Sequence, residues 1–230
     1  MKINAKKLCE FLEKTTLNGT IPTANLKVLK DRIQVWVKST DNAVAVNGYI
    51  KNISDLECTW PIKNVTMLLK SLKLFDGEIE MISNENKLSI FDKNRQIDIV
   101  LADESFIDNN LAKQLNLEYN SKTNLDIEVF KKAIANKKIV NSTTIKIQCK
   151  ENSLTIVSGS KSFDTITEKT TLKYEDFSLI LGEPLNYVVE HLDGIVEIGM
   201  KTDFPATFKT IKADYEIQFV VAQIVDLEDN

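Results

Sequence analysis

His191, the single histidine of the chain, lies beside Glu190 and near Asp193, a grouping in which a carboxylate can orient an imidazole for proton transfer. General-base work needs a nucleophile, and no cysteine in a nucleophile signature accompanies it in sequence. Cys9, Cys58 and Cys149 are odd in number and widely separated. That pattern fits free thiols in a reducing compartment and lacks metal-ligand spacing. Metal ligation would also want more imidazole or thiolate than the sequence supplies. The stretch "SGSKS" at 158–162 mimics a phosphate loop, but it lacks that loop's glycine spacing and reads as a hairpin turn. Carboxylates are plentiful, yet nothing singles out an acid–base pair. The expectation is a protein that is not an enzyme, with no cofactor and no metal. A small hydrolytic enzyme with unassigned carboxylates is the alternative.

The remaining chemistry is electrostatic, and it depends on where the lysines fall. In residues 62–75, Lys63, Thr66, Lys70 and Lys73 cluster on the side away from an apolar stripe of Val65, Leu68, Leu69 and Leu72. Lys7 and Lys14 lie opposite the stripe of a first helix (5–17), with Glu10 near the same face. In residues 126–138 Lys132 points away from the stripe, with Lys131 and Lys138 at its margin. A fourth helix, "GEPLNYVVEHL", breaks the pattern with two glutamates and no lysine. The helical stretches 5–17, 62–75, 126–138 and 183–192 carry a combined net charge of +4 in a chain of net −4, leaving −8 elsewhere. Lysine on a helix face is ordinarily solvation. Shared by three of four helices, the bias fits contact with a phosphate backbone, which needs cations but no base-reading side chains. A single-strand binder would instead interleave aromatic platforms with base. Trp36 and Trp60 sit among apolar neighbours in strand patterns and read as core.

The elements that carry these lysines repeat. Adding 120 to Val65, Leu68, Leu69 and Leu72 gives Leu185, Val188, Val189 and Leu192, all apolar. Pro61 and Pro184 precede or open the two helices, and Asp76-Gly77 and Asp193-Gly194 are expected to end them at an offset of 117. The second helix should then stop about one turn sooner. Alternating strands follow both. "RQIDIVLA" answers to "YEIQFVVA", and Ala5, Leu8 and Leu12 pair with Ile127, Phe130 and Ile134 at an offset of 122. Each half reads as a helix, several strands, a helix and about three strands. The strands expected before the second helix are "RIQVWVKS", "NAVAVNGYI" and "DLECTWPI" in the first half. In the second they are "TTIKIQC", "SLTIVSG", "FDTITEKTTL" and "FSLIL". This is an α+β fold of two duplicated domains, each with antiparallel sheets and two helices on one face. The boundaries fall at 1–102, a connector at 103–116, and 117–230. With 43% hydrophobic and 27% charged residues the chain is globular. It has no run of 18 apolar residues, and Glu10 and Glu13 interrupt any leader-like start, so no membrane span or export is expected.

With these patterns in place the sequence resembles a DNA sliding clamp, of the group that holds proliferating cell nuclear antigen and the tailed-phage replication clamps. The strongest carriers are C-terminal. "VEIGMKTDFPATFKTI" resembles the family's strand–Asp-hydrophobe-Pro–strand segment, and "YEIQFVVAQIVDLEDN" its last strand, turn and acidic tail. "EPLNYVVEHL" and "TMLLKSLKLFDGEIEMISNENKLSIFD" resemble its helices with the following hairpins. "FKKAIANKKIVNSTTIKIQCKENSLTIVSGSK" resembles the opening of its second domain. The resemblance implies a head-to-tail homotrimeric ring with helices lining a hole around duplex DNA. It also implies a DNA polymerase and a clamp loader as partners and processive replication as the role. The length is nearer the phage clamps; with no export expected and free thiols, the expected location is cytoplasmic, that of the host if viral.

Carried over by resemblance, Lys70, Lys73, Lys131 and Lys132 match basic positions on the channel helices. Lys7, Lys14, Lys63 and Lys138 are added from the helical faces. The resemblance implies a partner-peptide pocket at Val44, Val46, Leu111, Leu115, Pro205, Val220 and Ala222, with Gln223 replacing a common proline. It implies a subunit seam between residues 96–101, with Ile97, Ile99 and Leu101, and a neighbour's residues 163–171, with Phe163 and Ile166. The acidic fourth helix departs from a uniformly positive channel. A clamp-fold or other α+β interaction protein that does not encircle DNA is the second alternative.

Overall fold

The computed structural model describes residues 1–84, 86–103, 105, 107, 117, 119, 122–159 and 164–224. The first round of elements is β1 (Lys2–Asn4), α1 (Ala5–Thr15), β2 (Ala24–Val28), β3 (Arg32–Lys38), β4 (Val44–Lys51), β5 (Cys58–Ile62), α2 (Val65–Leu72), β6 (Glu78–Asn84), β7 (Lys87–Phe91) and β8 (Gln96–Val100). The second is β9 (Thr123–Asp126), α3 (Glu128–Ile139), β10 (Ile145–Lys150), β11 (Ser153–Ser158), β12 (Ile166–Thr171), β13 (Phe177–Leu181), α4 (Pro184–Glu190), β14 (Ile195–Gly199), β15 (Ala206–Ile211) and β16 (Tyr215–Val221). The two rounds are identical in kind and order.

Sheet topology repeats with them. β1-β6-β7-β8 and β5-β2-β3-β4 recur as β9-β14-β15-β16 and β13-β10-β11-β12. The register repeats residue for residue: Lys2, Ile3 and Asn4 face Glu80, Ile79 and Glu78, while Asn124, Leu125 and Asp126 face Glu197, Val196 and Ile195. These are the offsets of 122 and 117 read from the sequence. Described residues within 1–40, 45–116 and 211–217 pack as one unit, and those within 41–44, 117–210 and 218–230 as another.

Strand patterning follows side-chain alternation. β3 reads half-buried, buried, half-buried throughout, and β4 and β10 alternate as cleanly. In the first unit α1 and α2 pack side by side, burying Leu8, Phe11 and Leu12 with Leu68, Leu69 and Leu72. Each such buried side chain contributes on the order of 2 kcal/mol. α1 comes so close to β4 that a Cβ at Gly48 would stand 2.9 Å from Thr15 and 3.2 Å from Phe11. In the second unit α3 lies across β10, β11 and β12. There Phe130 meets Phe208 edge to face with ring centroids 5.3 Å apart, and Ser158 Oγ donates to the Ala133 carbonyl at 2.9 Å. The Ser158 hydroxyl of "SGSKS" is thus spent on packing, at the end of a strand whose antiparallel partner begins at Ile166.

The structure corrects several boundaries. α2 ends at Leu72 and α4 at Glu190, so Gly77 and Gly194 stand beyond the helix ends and not at the position that terminates them. Leu74 and Phe75 continue from α2 in a tighter turn, their N–H groups donating to Ser71 and Leu72. Leu192, which matches the last α2 residue, lies two residues past α4, so the second helix does stop sooner against its stripe, by less than a turn. The glycines serve another element. Ala5 N–H donates to the Gly77 carbonyl at 2.8 Å and Ile127 N–H to that of Gly194 at 3.0 Å. Each Asp-Gly turn therefore satisfies an otherwise orphaned donor at the start of its unit's first helix. Three strands were absent from the sequence reading: β1, β9 and β2.

Candidate nucleic-acid interface

Asn4 and Asn64 cap α1 and α2, each side chain accepting from the backbone three residues on, at 3.0 and 2.9 Å. α3 begins without a side-chain cap, although Asp126 accepts from Glu128 N–H at 3.1 Å. Pro184 opens α4. The buried stripes fix which way each helix turns its remaining face. That face is where the lysines stand: Lys7, Lys63, Lys70, Lys73, Lys132 and Lys138 are exposed, and Lys14 and Lys131 half-buried. Lys63 precedes the Asn64 cap and Lys73 is the C-terminal cap of α2, so both flank the helix proper. Lys14 and Lys70 lie in last turns, where a cation also favours the negative end of the helix dipole.

The cations fall into two electrostatic groups. Lys7 Nζ is 2.8 Å from Asp214, Lys73 Nζ 2.6 Å from Glu13, and Lys131 Nζ 2.9 Å from Glu128 and 3.3 Å from Asp193. Hydrogen bonding to Glu13 and its charge raise the pKa of Lys73, and bonding to Glu128 does the same for Lys131. The Lys7 hydrogen bond and charge hold Asp214 below the usual carboxylate range. Lys14 is also engaged. Lys63, Lys70, Lys132 and Lys138 have no ion pair within 4 Å among the described residues. α4 turns Glu183, Tyr187 and Glu190 outward and presents no cation.

One lysine escapes sequence reasoning altogether. Lys137 is 4% exposed, and its ammonium donates to the Thr143 carbonyl at 3.3 Å. Burial pushes its pKa down, against a smaller opposing pull from Glu183. Its position one residue before Lys138 gave no sign of this.

The other expected residues are placed as follows. Val44, Val46 and Val220 are buried, and Pro205 and Ala222 half-buried; Leu111 and Leu115 lie outside the described residues. Tyr119 donates its hydroxyl to the Pro205 carbonyl, and desolvation pushes the phenol up to about 12. Ile97 on β8 is half-buried, Ile99 and Leu101 are buried, and Ile166 is half-buried at the start of β12. β8 pairs with β7 and β12 with β11, and each is the terminal strand of its four-stranded sheet. Phe163 lies outside the described residues. Trp60 is 1% exposed, Trp36 half-buried. His191 caps the C-terminus of α4. Among the described residues no group of three or more His, Cys, Asp or Glu gathers as metal ligands, and no helix is long and apolar enough to cross a membrane.

A duplicated unit of two four-stranded antiparallel sheets with a pair of helices defines the DNA sliding-clamp architecture. More narrowly, the fold is that of proliferating cell nuclear antigen (PCNA). The PCNA of A. fulgidus, solved with the C-terminal region of FEN-1 bound, superimposes with a TM-score of 0.82 over 99% of this chain and 98% of its own, at 16% identity. The Entamoeba histolytica protein gives 0.76 at 16% identity over 97% and 98% of the two chains. That of Thermococcus kodakaraensis gives 0.78 at 19% over 97% and 99%. No family model matches the chain and no curated protein matches it by sequence.

Proposed function

We propose that this protein is a sliding clamp that encircles duplex DNA and tethers a DNA polymerase for processive replication, with no catalysis of its own. The observation that carries the reading is the exact recurrence of a clamp unit whose outward helix faces bear lysines in three of four cases. A ring needs repeated units and a heterologous contact that closes. Two units per chain and two terminal strands, β8 and β12, support a homotrimer joined edge to edge. Exposed Asp98 on β8 and Lys169 on β12 add opposite charges to that seam. The domains run 1–102 and 117–230 with the connector 103–116 between them. A clamp loader opens the ring, and the protein works in the cytoplasm.

Lys7, Lys14, Lys63, Lys70, Lys73, Lys131, Lys132 and Lys138 meet phosphates without reading bases. Partner peptides dock against Leu111, Leu115, Pro205 and Ala222, over a floor to which the buried Val44, Val46 and Val220 give shape. A FEN-1 segment bound to the A. fulgidus protein supports a peptide-binding role for the fold. The test is topological. Protein assembled on nicked circular duplex at high concentration should resist a salt wash and run off once the circle is cut. Release that ignores whether the circle is intact would overturn encirclement, and absence of polymerase stimulation at any concentration would overturn the tether.

A further inference from the structure

We infer that three carboxylates, Glu13, Asp193 and Asp214, act as resident competitors of the DNA phosphates, holding part of the lysine set out of contact and keeping the clamp's grip loose. The inference rests on the sliding-clamp reading and concerns the regulation of that same surface. Its basis is the division of the cations into paired and unpaired groups. Lys7, Lys73 and Lys131 each meet a carboxylate at 3.3 Å or less, whereas Lys63, Lys70, Lys132 and Lys138 meet none within 4 Å among the described residues.

The acids come from three different places: Glu13 on α1 reaches the end of α2, Asp193 follows α4 and reaches α3, and Asp214, between β15 and β16, reaches α1. Only Glu128 with Lys131 is the local i,i+3 pair that any helix offers. Fold geometry, not helical spacing, brings the other three carboxylates to the cations.

A lysine already neutralised at these distances offers an approaching phosphate a dipole in place of a net charge. It releases no counterion unless its own pair breaks first. Exposed pairs of this kind are weak enough to break. A phosphate therefore displaces the carboxylate at almost no net change, and when it moves on the carboxylate returns. Contacts made by exchange leave the energy along the duplex flat, which suits a ring held by closure and not by affinity. The unpaired four supply the attraction that keeps duplex centred.

The test compares the wild type with Glu13→Gln/Asp193→Asn/Asp214→Asn in binding to a short blunt duplex of mixed sequence, by fluorescence anisotropy across a salt series. The triple variant is expected to bind roughly tenfold tighter at low salt. Its slope of log K against log salt should steepen by about 1.8, about 0.9 for each of Lys7 and Lys73, since Glu128 at 2.9 Å still pairs Lys131. Removing Lys7, Lys73 and Lys131 in that background should return the slope to the wild-type value. A gain that persists without those lysines would show a bulk charge effect and overturn the inference. An unchanged slope in a variant with a normal thermal melt would overturn it too. A fourth protein, Lys63→Ala/Lys70→Ala/Lys132→Ala/Lys138→Ala, separates the two levels. If it loses binding while the carboxamide variant gains none, the competition fails and the clamp reading stands. If neither variant alters binding, both fall.

Discussion

At the scale of single residues, Gly77 and Gly194 carry the most information. Their φ angles are 91° and 69°, and nothing lies within 4 Å of where a Cβ would stand. Alanine there meets no steric obstacle, only the left-handed backbone. Gly77→Ala and Gly194→Ala are each expected to cost about 1 kcal/mol, read as a lower urea midpoint with unchanged m. A much larger loss would mean that the carbonyl bonds to Ala5 and Ile127 are broken as well. Cys9 offers a second reading. Burial, with Glu13 adding, pushes its thiol up to about 11 from 9.0. An acid whose folded pKa is raised favours the fold below pH 9 and loses that contribution as pH climbs toward 11. At pH 8 iodoacetamide should leave Cys9 unmodified in folded protein and label it after urea, as mass spectrometry of the peptide would show. Labelling of native protein would refute the burial. The Asp-Gly pairs were legible because glycine's freedom is local. The long-range ion pairs were not, since Lys7 and Asp214 are 207 residues apart.

At the scale of elements, what the sequence discloses is burial, and hydrogen bonding only through it. The stripe of α2 runs on to Phe75, 4% exposed, although the helix has ended at Leu72. Apolar periodicity therefore overstated the helix. β2 was missed for the converse reason: four of its five residues are buried, so no alternation marks it apart from Leu26-Lys27-Val28. β1 and β9, at three and four residues, are too short to leave a period. The terminal strands β8 and β12 were legible as strands, and their place at the sheet ends invites a test of the seam. Ile97→Lys and Ile166→Lys, both at half-buried positions, should leave the melting temperature within a few degrees while abolishing self-association. Light scattering over a range of concentrations should give a mass near three chains for the wild type and one for the variants. A wild type that stays at one chain throughout would count against the ring.

At the scale of the whole molecule, the duplication was the most legible feature and the site the least. The offsets 122 and 117 reappear in the pairing of β1 with β6 and β9 with β14, because a repeated register demands repeated spacing. A repeat says nothing of which lysines are already paired, or that Lys137 is buried. Nor could it show that Val44 and Val46 face inward, since strand alternation is the same whichever side is wet. The bond from Ala5 to Gly77 has a further consequence, in time. About 70 residues separate donor from acceptor, roughly 4–14 s of synthesis at ~5–20 residues per second. The first helix emerges from the ribosome long before the carbonyl that anchors it exists, and the second unit repeats the wait from Ile127 to Gly194. A nascent chain of this protein is thus left for seconds, twice over, with an amphipathic helix and no strand to close behind it, and those are the intervals in which chaperones have most to do.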